Sequence, residues 1–126
     1  MITSTADQTQ QPCYVILPRG YEKSNNATEM PLLISLHSWS AGLEQAKPEL
    51  EKQAIKLGWI YVFPHFRGPN QTPDACGSEL AQQDILDAVI WAKQNYRVDH
   101  SRIYLTGASG GGHMTMLMVS RHPEIW

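Results

Sequence analysis

The sequence predicts one α/β domain, with a mostly parallel sheet and helices on both faces. Three observations carry that expectation. Short apolar runs at 32–36, 60–63 and 103–106 are near-continuous rather than alternating, as in strands covered on both sides. Helical patterns fall between these runs, and such alternation means parallel strands joined by right-handed crossovers. The 126 residues leave room for a single domain of this kind.

The elements follow in order. Residues 1–12 are polar and rich in Gln and Thr, which predicts a flexible arm ahead of a partial domain over 13–126. Order is expected to begin with Cys13-Tyr14-Val15-Ile16-Leu17, stopped by Pro18 and Gly20, and a polar connection follows from Glu22 to Glu29. Met30 and Pro31 lead into the second strand. Pro48 suits a first helical turn and Gly58 a left-handed C-cap, and Leu50, Ala54 and Leu57 share one face between them. The next helix is clearer. Ala81, Ile85, Ala88, Val89, Ala92 and Tyr96 form one stripe, with Gln82 and Gln83 on other faces and Ser78 as N-cap. Asp84 and Asp87 read as a face of this helix, and Asp99 as a turn or cap residue with Arg102. A last helix runs from Gly110 to Arg121, with Met114, Leu117, Met118 and Arg121 on one side. The 64–77 stretch is long for a strand-to-helix connection, and such loops at strand ends usually belong to a site.

Composition removes several function classes. Ten Lys+Arg against twelve Asp+Glu give a net charge of −2, which offers no basic patch for nucleic acid. The 42% hydrophobic content is enough to build a core and rules out a disordered tail. Apolar runs fall far short of the roughly 20 residues needed to span a bilayer. The N-terminus lacks the basic and apolar regions of a signal peptide, which leaves a cytoplasmic protein or a secreted one whose leader has been removed. The five His are scattered without metal-like spacing, so no metal and no cofactor is implied. Cys13 and Cys76 allow one disulfide at most, and free thiols are the expectation for a domain with a core. Sequons at Asn26-Ala27-Thr28 and Asn70-Gln71-Thr72 read as coincidences.

The chemistry-bearing signal is Gly107-Ala108-Ser109-Gly110-Gly111, between an expected strand and an expected helix. In a strand–turn–helix of this kind the serine is held in a strained conformation that projects its Oγ above the sheet edge. Small neighbours are needed because the chain turns sharply there and the helix packs close behind. Ser109 is therefore the candidate nucleophile, and the Gly110 N–H would face a developing oxyanion. A second donor should come from the loop after residues 32–36, where Trp39 is the first choice and Ser38 the second. His37 reads chiefly as a residue pinning this loop. His37, His65 and Arg67 are nonetheless candidates to line the pocket, Arg67 either by steadying the long loop or by binding a substrate carbonyl or carboxylate.

These segments resemble the N-terminal part of an α/β-hydrolase catalytic domain, of the kind found in prolyl-oligopeptidase-like serine hydrolases and bacterial esterases. The matching stretches are Leu17-Pro18-Arg19-Gly20-Tyr21, Pro31 through His37, Phe66-Arg67-Gly68, Asp84-Ile85-Leu86-Asp87-Ala88, and Val98 through Gly111. Ser38 departs from the glycine usual after this histidine. The resemblance implies hydrolysis of a carboxylic ester or a peptide bond through an acyl-enzyme on Ser109, with the ester favoured because no gating domain precedes residue 13. In such enzymes the triad runs Ser, then Asp or Glu, then His. The sequence ends seventeen residues after Ser109 and nothing in it matches the acid or base positions. The chain alone is therefore expected to be nearly inactive. The competing expectation is a non-catalytic fragment or degenerate homologue that acts by association. In either case the apolar edge at 103–106 predicts pairing with a second copy or with a missing C-terminal half.

Overall fold

In the computed structural model, residues 1–21, 28–45 and 47–126 are described. The sequon at Asn26 and most of the polar connection after Tyr21 lie outside them. In chain order the elements are β1 (Ile2–Thr3), β2 (Gln10–Gln11), β3 (Cys13–Ile16), β4 (Met30–Leu36), α1 (Pro48–Leu57), β5 (Ile60–Pro64), α2 (Glu79–Asn95), β6 (Val98–Gly107) and α3 (Gly110–Arg121). The main sheet has the order β3-β5-β4-β6. β4 runs parallel to both β5 and β6, and β3 forms one edge, antiparallel to β5. This is the mostly parallel α/β arrangement expected from the near-continuous apolar runs.

Alternation along the central strands divides the core into two layers. Leu32, Ile34 and Leu36 of β4 join Ile60 and Val62 of β5 in a cluster with α2 and α3. Leu33, Tyr61 and Phe63 point the other way, toward Ala54 and Leu50 of α1. Helices thus cover both faces. Pro48 occupies the first turn of α1, and Gly58 caps it at φ 74°, a left-handed conformation that glycine adopts without Cβ strain. Leu57 leaves the expected stripe and is 59% exposed; among the described residues of α1 only Ala54 is fully buried. Ser78 caps α2 by accepting the Ala81 N–H at 3.0 Å.

The first twelve residues depart from the arm that their polarity predicts. β1 and β2 form an antiparallel hairpin that docks on α2 and buries Ile2 and Ser4. Arg67 holds it, meeting Asp84 at 2.7 Å on one side and Asp7 at 2.6 Å on the other. Thr5 adds a backbone and a hydroxyl hydrogen bond to Asp87, at 2.6 and 2.9 Å. The hairpin also accounts for two buried carboxylates on α2. Gln82, Asp84 and Asp87 are buried, and the carboxylates have ionic and hydrogen-bonding partners to offset desolvation.

Register positions the functional end of the sheet. Leu36 stands opposite Gly107, so the chain leaves β4 and β6 side by side at their carboxyl ends. The loop 37–45 and the turn at Ala108-Ser109 therefore begin as neighbours.

Candidate active site

β6 ends at Gly107, α3 begins at Gly110, and the chain reverses over two residues between them. Ser109 sits at φ 55°, ψ −120°, a left-handed backbone that a residue with a Cβ adopts at a cost. Its side chain is exposed, and its hydroxyl forms no hydrogen bond among the described residues. The small neighbours have a measurable reason. A Cβ on Gly107 would overlap the Gly111 carbonyl, and a Cβ on Gly110 would stand 2.5 Å from Trp39 N and 3.0 Å from Trp39 Cβ. The α3 N-terminus is thus seated directly against the loop after β4.

Two backbone donors meet at this contact. Neither the Trp39 N–H nor the Gly110 N–H donates to an acceptor among the described residues. Ser38, the second choice from sequence, is not available. Its N–H donates to Gln45 Oε1 at 2.7 Å and its hydroxyl accepts from Gln45 Nε2 at 2.6 Å. The amide of Gln45 folds the loop back on itself and consumes that donor.

The three candidates for pocket lining go elsewhere. His37 is fully buried, with Nδ1 3.1 Å from the Ser38 carbonyl and Nε2 2.8 Å from the His65 carbonyl. Its ring stacks on Phe66 at 3.9 Å, so it pins the loop from below and does not line a pocket. The His65 ring is wedged between Gly42 and Gly68, with Nδ1 buried and without a hydrogen-bond partner among the described residues. Burial, and then the neighbouring His37, push its pKa down, which leaves a neutral ring as packing between two loops. Arg67, at φ 75°, is committed to Asp7 and Asp84 and carries no free fork for a substrate carboxylate. His113 lies on α3 against Gly77, and the distances place it beside the long loop.

Sequence reading missed two residues here. Lys47 donates from Nζ to the Leu36 carbonyl at 2.5 Å and lies 5.5 Å from the Phe63 ring centre, which fixes the exit of β4. Burial lowers its pKa. Asn70, read only as part of a sequon, is fully buried between the long loop, Trp39 and Gly110. The length of the 64–77 loop was the available signal, but nothing in the sequence singled out this position within it. Both cysteines are free thiols, and burial pushes the Cys13 thiol up to about 12. No group of His, Cys, Asp or Glu suited to a metal occurs among the described residues.

The chain that carries this exposed serine on a left-handed turn is similar to several known proteins. The BD-FAE family model matches residues 20–124, most of the chain. The chain belongs to the BD-FAE family. This BD-FAE chain is 32% identical over 105 residues to a bifunctional acetylxylan esterase/xylanase from Neocallimastix patriciarum, which covers 80% of the chain and 15% of that protein. It is 28% identical over 123 residues to feruloyl esterase B from Neurospora crassa, covering 84% of the chain and 39% of the relative. Oligopeptidase B from Leishmania major superposes with a TM-score of 0.78 at 16% identity, over 100% of this chain and 18% of its own, which shows the shared α/β-hydrolase fold. The BD-FAE chain spans well under half the length of these curated relatives.

Proposed function

We propose that the protein is a serine esterase in which Ser109 attacks an ester carbonyl and is acylated. The negative oxygen of the tetrahedral intermediate is received by the Trp39 and Gly110 N–H groups, aided by the start of α3. A general base and the acid that orients it come from outside these 126 residues. The relatives' names carry an acetyl ester on xylan and a feruloyl ester, so a carboxylic ester of this kind is the substrate class, ahead of a peptide. The single observation that supports the reading is the juxtaposition of the exposed Ser109 hydroxyl, at φ 55°, with two unoccupied N–H groups.

Nucleophile and base act as a unit, and losing the base costs on the order of 10⁶ in turnover. Donors and binding alone retain on the order of 10³ over water. The chain by itself is therefore a slow acyl acceptor rather than an efficient enzyme. The test is prolonged incubation with p-nitrophenyl acetate followed by peptide mass spectrometry. An acetyl adduct on Ser109 that is absent from Ser109→Ala supports the reading. Acetylation confined to lysines and the N-terminus sinks it.

A second reading, association without catalysis, draws support from β6. This strand has no neighbour beyond it among the described residues, and Tyr104 on it is 42% exposed. We infer that its free edge pairs with a second copy or with further polypeptide that completes the sheet. The two readings are compatible, since a completed sheet is also where a base and acid would be carried.

A further inference from the structure

Asn70 lies in the connection between β5 and α2 and is fully buried. Its backbone N–H donates to the Trp39 carbonyl at 2.7 Å. Its side-chain Nδ2 donates to the Gly110 carbonyl at 3.5 Å. Those are the carbonyls of the two residues whose own N–H groups are left open beside Ser109. Trp39 and Gly110 belong to different segments, separated by some seventy positions in the chain, and Asn70 hydrogen bonds to both of them.

We propose that Asn70 is a positioning residue that fixes the separation and tilt of the Trp39 and Gly110 amide donors. The inference rests on the oxyanion reading given above and adds to it the residue that holds the pair in register. Each hydrogen bond restrains the peptide just C-terminal to a donor residue, so the donor's backbone is fixed from outside its own loop. Preorganisation of this kind matters because donors aimed before the reaction need not reorganise when charge develops. The Nδ2 contact is at the long end of hydrogen bonding, as catalytic contacts often are before a ligand tightens them.

A further observation sets Asn70 apart from an ordinary core amide. Its Oδ1 is buried with no hydrogen-bond partner among the described residues. Leaving a buried acceptor unpaired is costly, and an apolar side chain of similar size would avoid that cost. An amide there is accounted for by what Nδ2 does at Gly110. Burial also removes the other reading of this position, since a fully buried asparagine cannot accept a glycan in the folded protein.

The test uses the 126-residue chain and its slow turnover of p-nitrophenyl acetate, the activity expected from the donors alone. Asn70→Ala removes the side-chain bond to Gly110 and leaves the backbone bond to Trp39, so it frees the Gly110 end of the tether, and Asn70→Asp keeps the shape but cannot donate to Gly110. Both variants are expected to lower kcat on the order of 10- to 100-fold, the loss that follows from about an ångström of misplacement. KM stays within about twofold, because a uniform binding contact is not what is lost. The amide signals of Trp39 and Gly110 shift in ¹⁵N–¹H spectra, while those of β4 and β5 stay in place. A folded Asn70→Ala with the parent's kcat, a loss carried by KM, or a parent with no turnover above buffer overturns the proposal. If Asn70→Ala does not fold, Asn70→Ser decides by the same two readouts. Turnover that survives Ser109→Ala yet falls in the Asn70 variants removes the nucleophile and keeps Asn70. Turnover that falls only in Ser109→Ala overturns Asn70 alone.

Discussion

Ser109 combines a strained backbone with an unbonded hydroxyl, and the two features have one origin. The turn that lifts the side chain clear of the sheet also forces φ to 55°, where a Cβ is disfavoured. Glycine would relieve that strain. Ser109→Gly is expected to raise stability by about 1 kcal/mol over Ser109→Ala, read as a higher midpoint in thermal unfolding. Equal midpoints for the two variants would mean the turn stores no strain. The histidines show the opposite case. His37 and His65 stand beside the same loop, yet their rings are consumed by backbone carbonyls, by Phe66 and by wedging between glycines. Residue type and sequence position alone made them look available. Their partners come from distant segments, and no local pattern announces that.

The elements divide in the same way. α1 begins and ends, and α2 and α3 begin, where Pro48, Gly58, Ser78 and Gly110 mark them, because caps and turn glycines act within a few residues. The N-terminal hairpin was not legible, since β1 and β2 are two residues each and owe their order to Arg67, Asp84 and Asp87. Its docking carries a pH signature. The Arg67 guanidinium, with the Thr9 hydroxyl, holds the Asp7 carboxyl well below the usual carboxylate range. A depressed carboxylate stabilises in full above the ordinary value of about 4, and that contribution is lost as pH falls through the folded-state value. Between about pH 5 and pH 2 the parent chain should lose thermal stability more steeply than Asp7→Asn. Matching slopes in calorimetry would show that the ion pair does not anchor the hairpin.

At the scale of the molecule, the sheet has two edge strands of unequal length, β3 and β6. β3, antiparallel to β5, is an edge of only four residues, whereas β6 offers ten residues of backbone with no partner beyond them among the described residues. Exposed Met116 and Val119 on the adjoining α3 extend the apolar surface. Edges of this kind template pairing unless charged or covered. The parent chain is therefore expected to sediment as an associated species at micromolar concentration, and Tyr104→Lys to shift it toward monomer. A parent that is monodisperse and monomeric would remove the edge from the account.

Sequence by itself determined the alternation of strands and helices, the parallel core and the serine on its turn. Those features are written in local periodicity and in glycine spacing, which act over a few residues at a time. Only the tertiary structure decided which donors stay open, that Ser38 is spent on Gln45, that Arg67 ties down the first residues, and that Asn70 joins Trp39 to Gly110. Each of those outcomes depends on which polar group from a distant segment arrives first at a buried donor or acceptor, and only the folded chain settles that pairing.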